Sequence, residues 1–167
     1  MKEWMDVSED SLVKIRRTDE NHVELFLENG RVLVFEGLEK NCDDCYKGIL
    51  EMFKEAGPMI LDGFDLMDIL SMSETGKFFY TEGLVSSDSC FSAVDGVFSY
   101  IDDINQLNGA NSPQISGMIL NMVGNIRVSD LIDIKEMISH NSPGVTVKVS
   151  LNDPDEGDKC QYRVIAV

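Results

Sequence analysis

Basic residues are scarce in this chain: fourteen Lys and Arg stand against thirty Asp and Glu, a formal net charge of −16 over 167 residues. That balance repels nucleic acid and anionic lipid at long range, so neither a nucleic-acid partner nor a membrane surface is expected. Long apolar runs are missing too, and none approaches the ~18 residues of a membrane-spanning helix. The start, Met1-Lys2-Glu3-Trp4-Met5-Asp6, has neither the basic nor the apolar region of an export signal, which makes the cytoplasm the expected compartment. Histidine is limited to His22, beside a turn, and His140, at a helix end, so a nucleophile with a paired base is hard to assemble. Glycine-rich phosphate loops are absent, down to the lack of any Gly-Gly pair, and nucleotide has no evident seat. Cysteine is sparse, and only Cys42 and Cys45 lie close together. A lone C-x-x-C supplies half of a zinc site and has no thioredoxin-like surround here; ordinary reduced thiols are expected, beside the zinc and redox readings.

What is present is a globular composition, 43% apolar. Residues 12–36 read as a three-stranded antiparallel meander, turning first at Thr18-Asp19-Glu20-Asn21 and then at Asn29-Gly30 as a two-residue type I′ turn. Val23, Leu25 and Leu27 alternate with Glu24, Phe26 and Glu28, and Val32 and Val34 with Leu33 and Phe35, so one greasy face needs a cover. A helix over 41–56 is the expected cover, capped by Asn41, with Asp43 and Asp44 in its first turn, a stripe of Tyr46, Ile49, Leu50 and Phe53, and Gly57-Pro58 as its stop. After a loop and a short helical stretch through Asp68, Ile69 and Met72, strands and helices alternate.

A strand is expected over Lys77–Val85, then a helix capped by Ser87 or Asp88 with Val94, Val97, Phe98, Ile101 and Ile104 on one face. Ser116–Val123 reads as a central strand buried on both faces. A second helix over 129–140 would be capped by Ser129 and striped by Leu131, Ile134, Met137 and Ile138. Val145–Leu151 and Cys160–Val167 are two further strands, expected to pair as a hairpin. The expected fold class is α/β (α+β): a small mixed four-stranded sheet with two helices on one face, preceded by the meander and its helix, divided as 1–58 and 59–167.

Two acidic groups invite a chemical reading. The run Asp153-Pro154-Asp155-Glu156-Gly157-Asp158 lacks the spacing and the closing Glu of a calcium loop and reads as a polar hairpin turn. Asp62, Asp65 and Asp68 stand three apart at the start of a helix, where i and i+3 share a face. Such carboxylates can polarise a water or hold a metal; capping and complementing the helix dipole is the reading that spacing favours.

Beyond these patterns the sequence resembles the C-terminal half of FtsZ, the prokaryotic relative of tubulin. Val147 to Asp158 running into Tyr162-Arg163-Val164-Ile165-Ala166-Val167 is similar to the family's closing "DPDLGDEVRVTVIAT" pattern, and Ser116-Gly117-Met118-Ile119-Leu120-Asn121-Met122-Val123-Gly124 to its "GvLlNItG" strand. Lys47 to Phe53 with Gly57 looks like the end of the family's long central helix. The family's synergy loop, N-x-D-F-A-D-V, follows that helix and reaches into the next subunit of a filament to activate the water that attacks GTP. Two registers are open here: Asp62 with Asp65 places Ile60 where the family has asparagine, and Asp65 with Asp68 places Gly63 there. The resemblance covers roughly residues 45–167, and the GTP-binding signature G-G-G-T-G-[ST]-G is missing.

The resemblance therefore implies a non-catalytic FtsZ-like protein that binds or regulates a filament-forming partner in cell division. Asp62, Gly63, Asp65 and Asp68 form its partner-binding loop, with no catalytic residue, metal or cofactor. A small-molecule or metal-binding module, using the sheet edge or the three aspartates, and a self-associating structural protein are the competing expectations.

Overall fold

In the computed structural model, which describes residues 3–19, 22–37, 41–54, 57–86, 89–108, 115–153 and 160–167, the meander follows its alternation. Strands β2 (Val13–Asp19), β3 (His22–Leu27) and β4 (Val32–Phe35) pair antiparallel, and the two-residue β1 (Met5–Asp6) joins the outer edge of β2. Val13, Ile15, Val23, Leu25, Leu27 and Leu33 are buried on one face. On the other, Arg16 stacks 4.2 Å over the Trp4 ring, whose centroid is 5.6 Å from that of Phe26. The first expected turn extends into Glu20 and Asn21, outside the described residues.

The expected type I′ turn at Asn29-Gly30 is not formed. Leu27 accepts the Gly30 N–H and donates to the Arg31 carbonyl, both at 2.9 Å, and Gly30 alone of the pair has positive φ, at 91°. A type I′ turn needs positive φ at both central residues. Asn29 instead accepts the Arg31 N–H through Oδ1 at 3.0 Å, the local bond that suits Asn to turns.

Helix α1 (Cys42–Lys54) covers the meander's buried face, with Asn41 Oδ1 accepting the Asp44 N–H at 3.4 Å. Its deepest line is Cys42, Cys45, Ile49 and Met52, while Tyr46, Leu50 and Phe53 are partly buried beside it. The cysteines are thus core residues, and burial pushes the Cys45 thiol well up from its ordinary value. A Cβ on Gly48 would lie 1.8 Å from the Tyr80 hydroxyl, so helix and sheet approach here only because residue 48 has no side chain.

Strands β5 (Lys77–Leu84), β6 (Gly117–Val123), β7 (Thr146–Asn152) and β8 (Gln161–Ala166) do not stand apart as a four-stranded sheet. β4 runs parallel to β5 through Val34↔Lys77 and Phe35↔Phe78, giving one eight-stranded mixed sheet ordered β1-β2-β3-β4-β5-β8-β6-β7. That pairing joins residues on both sides of the expected 58/59 division. β7 and β8 form no hairpin: β8 lies between β5 and β6, antiparallel to both, and β6 pairs parallel with β7. The reason is burial. Arg163 to Val167 is buried throughout, as a strand flanked on both edges and covered on both faces must be. β6 is likewise buried at every residue, as its apolar run predicts.

Helices α3 (Ser92–Asn108) and α4 (Val128–Asn141) cover one face, over Phe79, Met118, Leu120, Met122, Val164 and Ala166. The other face, with Phe78, Tyr80, Ile119 and Ile165, lies under α1 and α2 (Gly63–Leu70). Ser87 and Asp88, the expected caps of α3, and Pro154 to Asp158 of the polar turn lie outside the described residues. For α4 the N-cap is Arg127, without a side-chain capping bond, and Ser129 lies inside the helix. Its stripe is Leu131, Ile134 and Ile138; Met137 sits at the margin and is exposed. Among the described residues no helix is long and apolar enough to cross a membrane.

Candidate functional site

The four predicted site residues come together at the start of α2, and the local sequence explains how. Asp62 is the N-cap: its Oδ1 accepts the Asp65 N–H at 3.0 Å, and Asp65 Oδ2 accepts the Asp62 N–H at 3.0 Å, a reciprocal capping box. Leu61 and Leu66, one residue before the cap and four after it, belong to the same core, the positions of a hydrophobic staple. Gly63 opens the helix because another carboxylate occupies its side-chain space. Asp10 Oδ2 accepts the Gly63 N–H at 3.1 Å, and a Cβ at 63 would stand 2.0 Å from Asp10 Oδ1. Asp10 is itself held by the Ser8 hydroxyl and by the Leu12 N–H at 3.3 Å.

The far side of the box is closed from β7. Lys148 Nζ lies 3.0 Å from Asp65 Oδ1 and 3.1 Å from Asp68 Oδ2. Burial pushes the Asp65 carboxyl up, but the Asp62 N–H and the Lys148 ammonium outweigh it and hold the group below its ordinary value. Burial likewise pushes Lys148 down, and its bonds to Asp65 and Asp68 raise it above the usual lysine value. For Asp10 the Ser8 hydroxyl is the chief cause of a lowered pKa, opposed by burial and aided by the Leu12 and Gly63 amides.

The capping reading thus describes Asp62 and Asp65, while Asp68 serves the Lys148 pair. Among the described residues no group of three or more His, Cys, Asp or Glu is placed to hold a metal ion. Their arrangement stiffens a helix start and leaves outward carboxylate surface, with the Asp68 side chain 67% exposed.

Sequence reading missed the pieces that complete this face. Asp10 and Lys148 come from 53 and 83 residues away along the chain, measured to Gly63 and Asp65, and carry no local pattern. Phe64 did carry one. Leu66, Ile69 and Leu70 form the buried stripe of α2, and Phe64 falls off it, on the side of Asp68 at i+4. Ile60 is 56% exposed and Phe64 64%, large apolar side chains beside the capped acids.

No family model matches the chain, and no curated protein matches it. Among solved structures it is similar to CetZ1 from Haloferax volcanii, a GDP-bound monomer, at 15% identity and a TM-score of 0.39. The match covers 79% of this chain and 40% of that one, so the chain spans about two fifths of that protein's length.

Proposed function

We propose that this chain acts by protein–protein contact through the face at the start of α2, made by Ile60, Asp62, Phe64 and Asp68 on a footing of Gly63 and Asp65, and that it runs no chemistry of its own. The carrying observation is the outward placement of Ile60 and Phe64 on a backbone pinned by the Asp62–Asp65 box, the Asp10 bond and Lys148. Rigid apolar anchors inside a charged rim are how interfaces concentrate binding energy, because little ordering entropy is lost on docking.

The partner implied by the sequence resemblance is a filament-forming protein of the FtsZ and tubulin kind. A subunit offering one complementary face to a head-to-tail polymer, without the other, stops growth at that end, so the role is capping or regulation. The test adds the protein to polymerising FtsZ from the same organism and records sedimented polymer and GTP turnover. A dose-dependent change in both supports the reading; no change at any ratio counts against it.

A further inference from the structure

Away from α2, a cleft of about 290 Å³ opens where the sheet parts. β4 meets β5 only at Val34↔Lys77 and Phe35↔Phe78, with the Glu36 N–H on the Phe78 carbonyl at 2.9 Å. Past Phe78, that edge of β5 has no registered strand among the described residues. The Tyr100 hydroxyl crosses from α3 to the Tyr80 carbonyl at 3.0 Å, so β5 floors the cleft while α1 and α3 wall it.

Three carboxylates, Asp44, Glu82 and Asp103, and three aromatic rings, Phe35, Tyr80 and Tyr100, line the cleft, and among the described residues no lining side chain is basic. Glu82 is oriented by the Tyr80 hydroxyl, which donates to Oε2 at 2.7 Å, and Asp44 is held by Asn41. Arg163 is the register partner of Glu82 on β8, and its guanidinium bonds to Glu51 at 2.9 Å and Asn121 at 3.3 Å. These acids are dispersed over three elements, and no group of described residues is placed to ligate a single metal ion. Separated carboxylates with aromatic surface between them match a ligand whose positive charges are themselves separated by apolar chain.

We propose that this cleft binds an aliphatic di- or polyamine, with its ammonium groups on Asp44, Glu82 and Asp103 and its methylenes against Phe35, Tyr80 and Tyr100. The site shares no residue with the α2 face and stands whatever docks there. Because a net charge of −16 attracts any cation, the test must separate the cleft from the general field. Calorimetric titration of the full chain with spermidine at about 0.15 M salt is expected to show saturable one-to-one binding. Asp44→Asn with Asp103→Asn is expected to weaken it about tenfold or more. Asp133→Asn with Glu136→Gln, a charge-matched pair on the exposed side of α4, is expected to leave affinity unchanged. Asp103→Asn alone, on exposed α3 surface, keeps the comparison usable if losing Asp44 weakens α1. Absence of saturation at millimolar spermidine, or equal weakening by the two charge-matched pairs, overturns the proposal.

Discussion

Asp62 and Asp65 cap each other, each carboxylate taking the other's backbone N–H at 3.0 Å. This fixes where α2 begins and holds Phe64 between them, pointing outward. Asp62→Ala is expected to cost about 1 kcal/mol in urea denaturation, and Asp62→Ser to recover most of it. Equal stability of all three proteins would show that the box contributes nothing.

The acid limb of stability should carry the signature of the same cluster. Asp65 and Asp10 start from an unfolded value of 3.8 and are lowered on folding, so their contribution is complete above 3.8 and is lost as pH falls through the folded values. Lys148 behaves oppositely: its folded value lies above 10.5, so its contribution is complete below 10.5 and is lost as pH rises through the folded value. Denaturation midpoints from neutral pH down to acid are expected to fall less steeply for Asp65→Asn than for the parent. Parallel curves would contradict the assignment.

Across the sheet, Glu82, Arg163, Asn121 and Ser150 stand in register on β5, β8, β6 and β7. Arg163 is 2% exposed, bonded to Glu51 and Asn121, and Asn121 Nδ2 donates to Ser150 Oγ at 2.8 Å. Arg163→Ala empties a large buried volume and strands the Asn121 carbonyl, an expected loss of about 3 kcal/mol. Glu51 is half exposed, so Glu51→Gln should cost no more than about 1 kcal/mol. Chemical denaturation of the two variants checks the order; a larger loss at Glu51 would reverse it.

Gly48 and Tyr80 set the distance between α1 and β5. Gly48→Ala is expected to destabilise by about 1–3 kcal/mol through overpacking against the Tyr80 ring. Tyr80→Ala in the same chain should make the second substitution cheaper, a non-additivity visible in a double-mutant cycle. Strict additivity would mean the two do not meet.

How much of this was legible follows from which signals are local. Alternation at Val23, Leu25 and Leu27 marks the meander, and the apolar run of β6 marks a central strand, because burial period is written in adjacent residues. The hairpin expected for β7 and β8 failed because strand neighbours are chosen by sheet-wide burial, and the four residues Val164 to Val167 demanded cover on both faces. The parallel join of β4 to β5 rests on two residue pairs and leaves no sequence trace. At the site, the capping of Asp62 and Asp65 was readable from their three-residue spacing, whereas Lys148 was a strand residue like any other until the fold set it beside them. Cys42 and Cys45 carried a motif's spacing yet serve as core, since helical positions i and i+3 share the buried face.

In the proposed contact face, Ile60 and Phe64 serve a partner and not the fold. The direct measurement compares the parent with Ile60→Ser/Phe64→Ser for binding to polymerising FtsZ from the same organism by co-sedimentation, alongside thermal unfolding. The variant is expected to unfold within a few degrees of the parent and no longer to affect the polymer. Undiminished binding by a folded variant would overturn the assignment of this face.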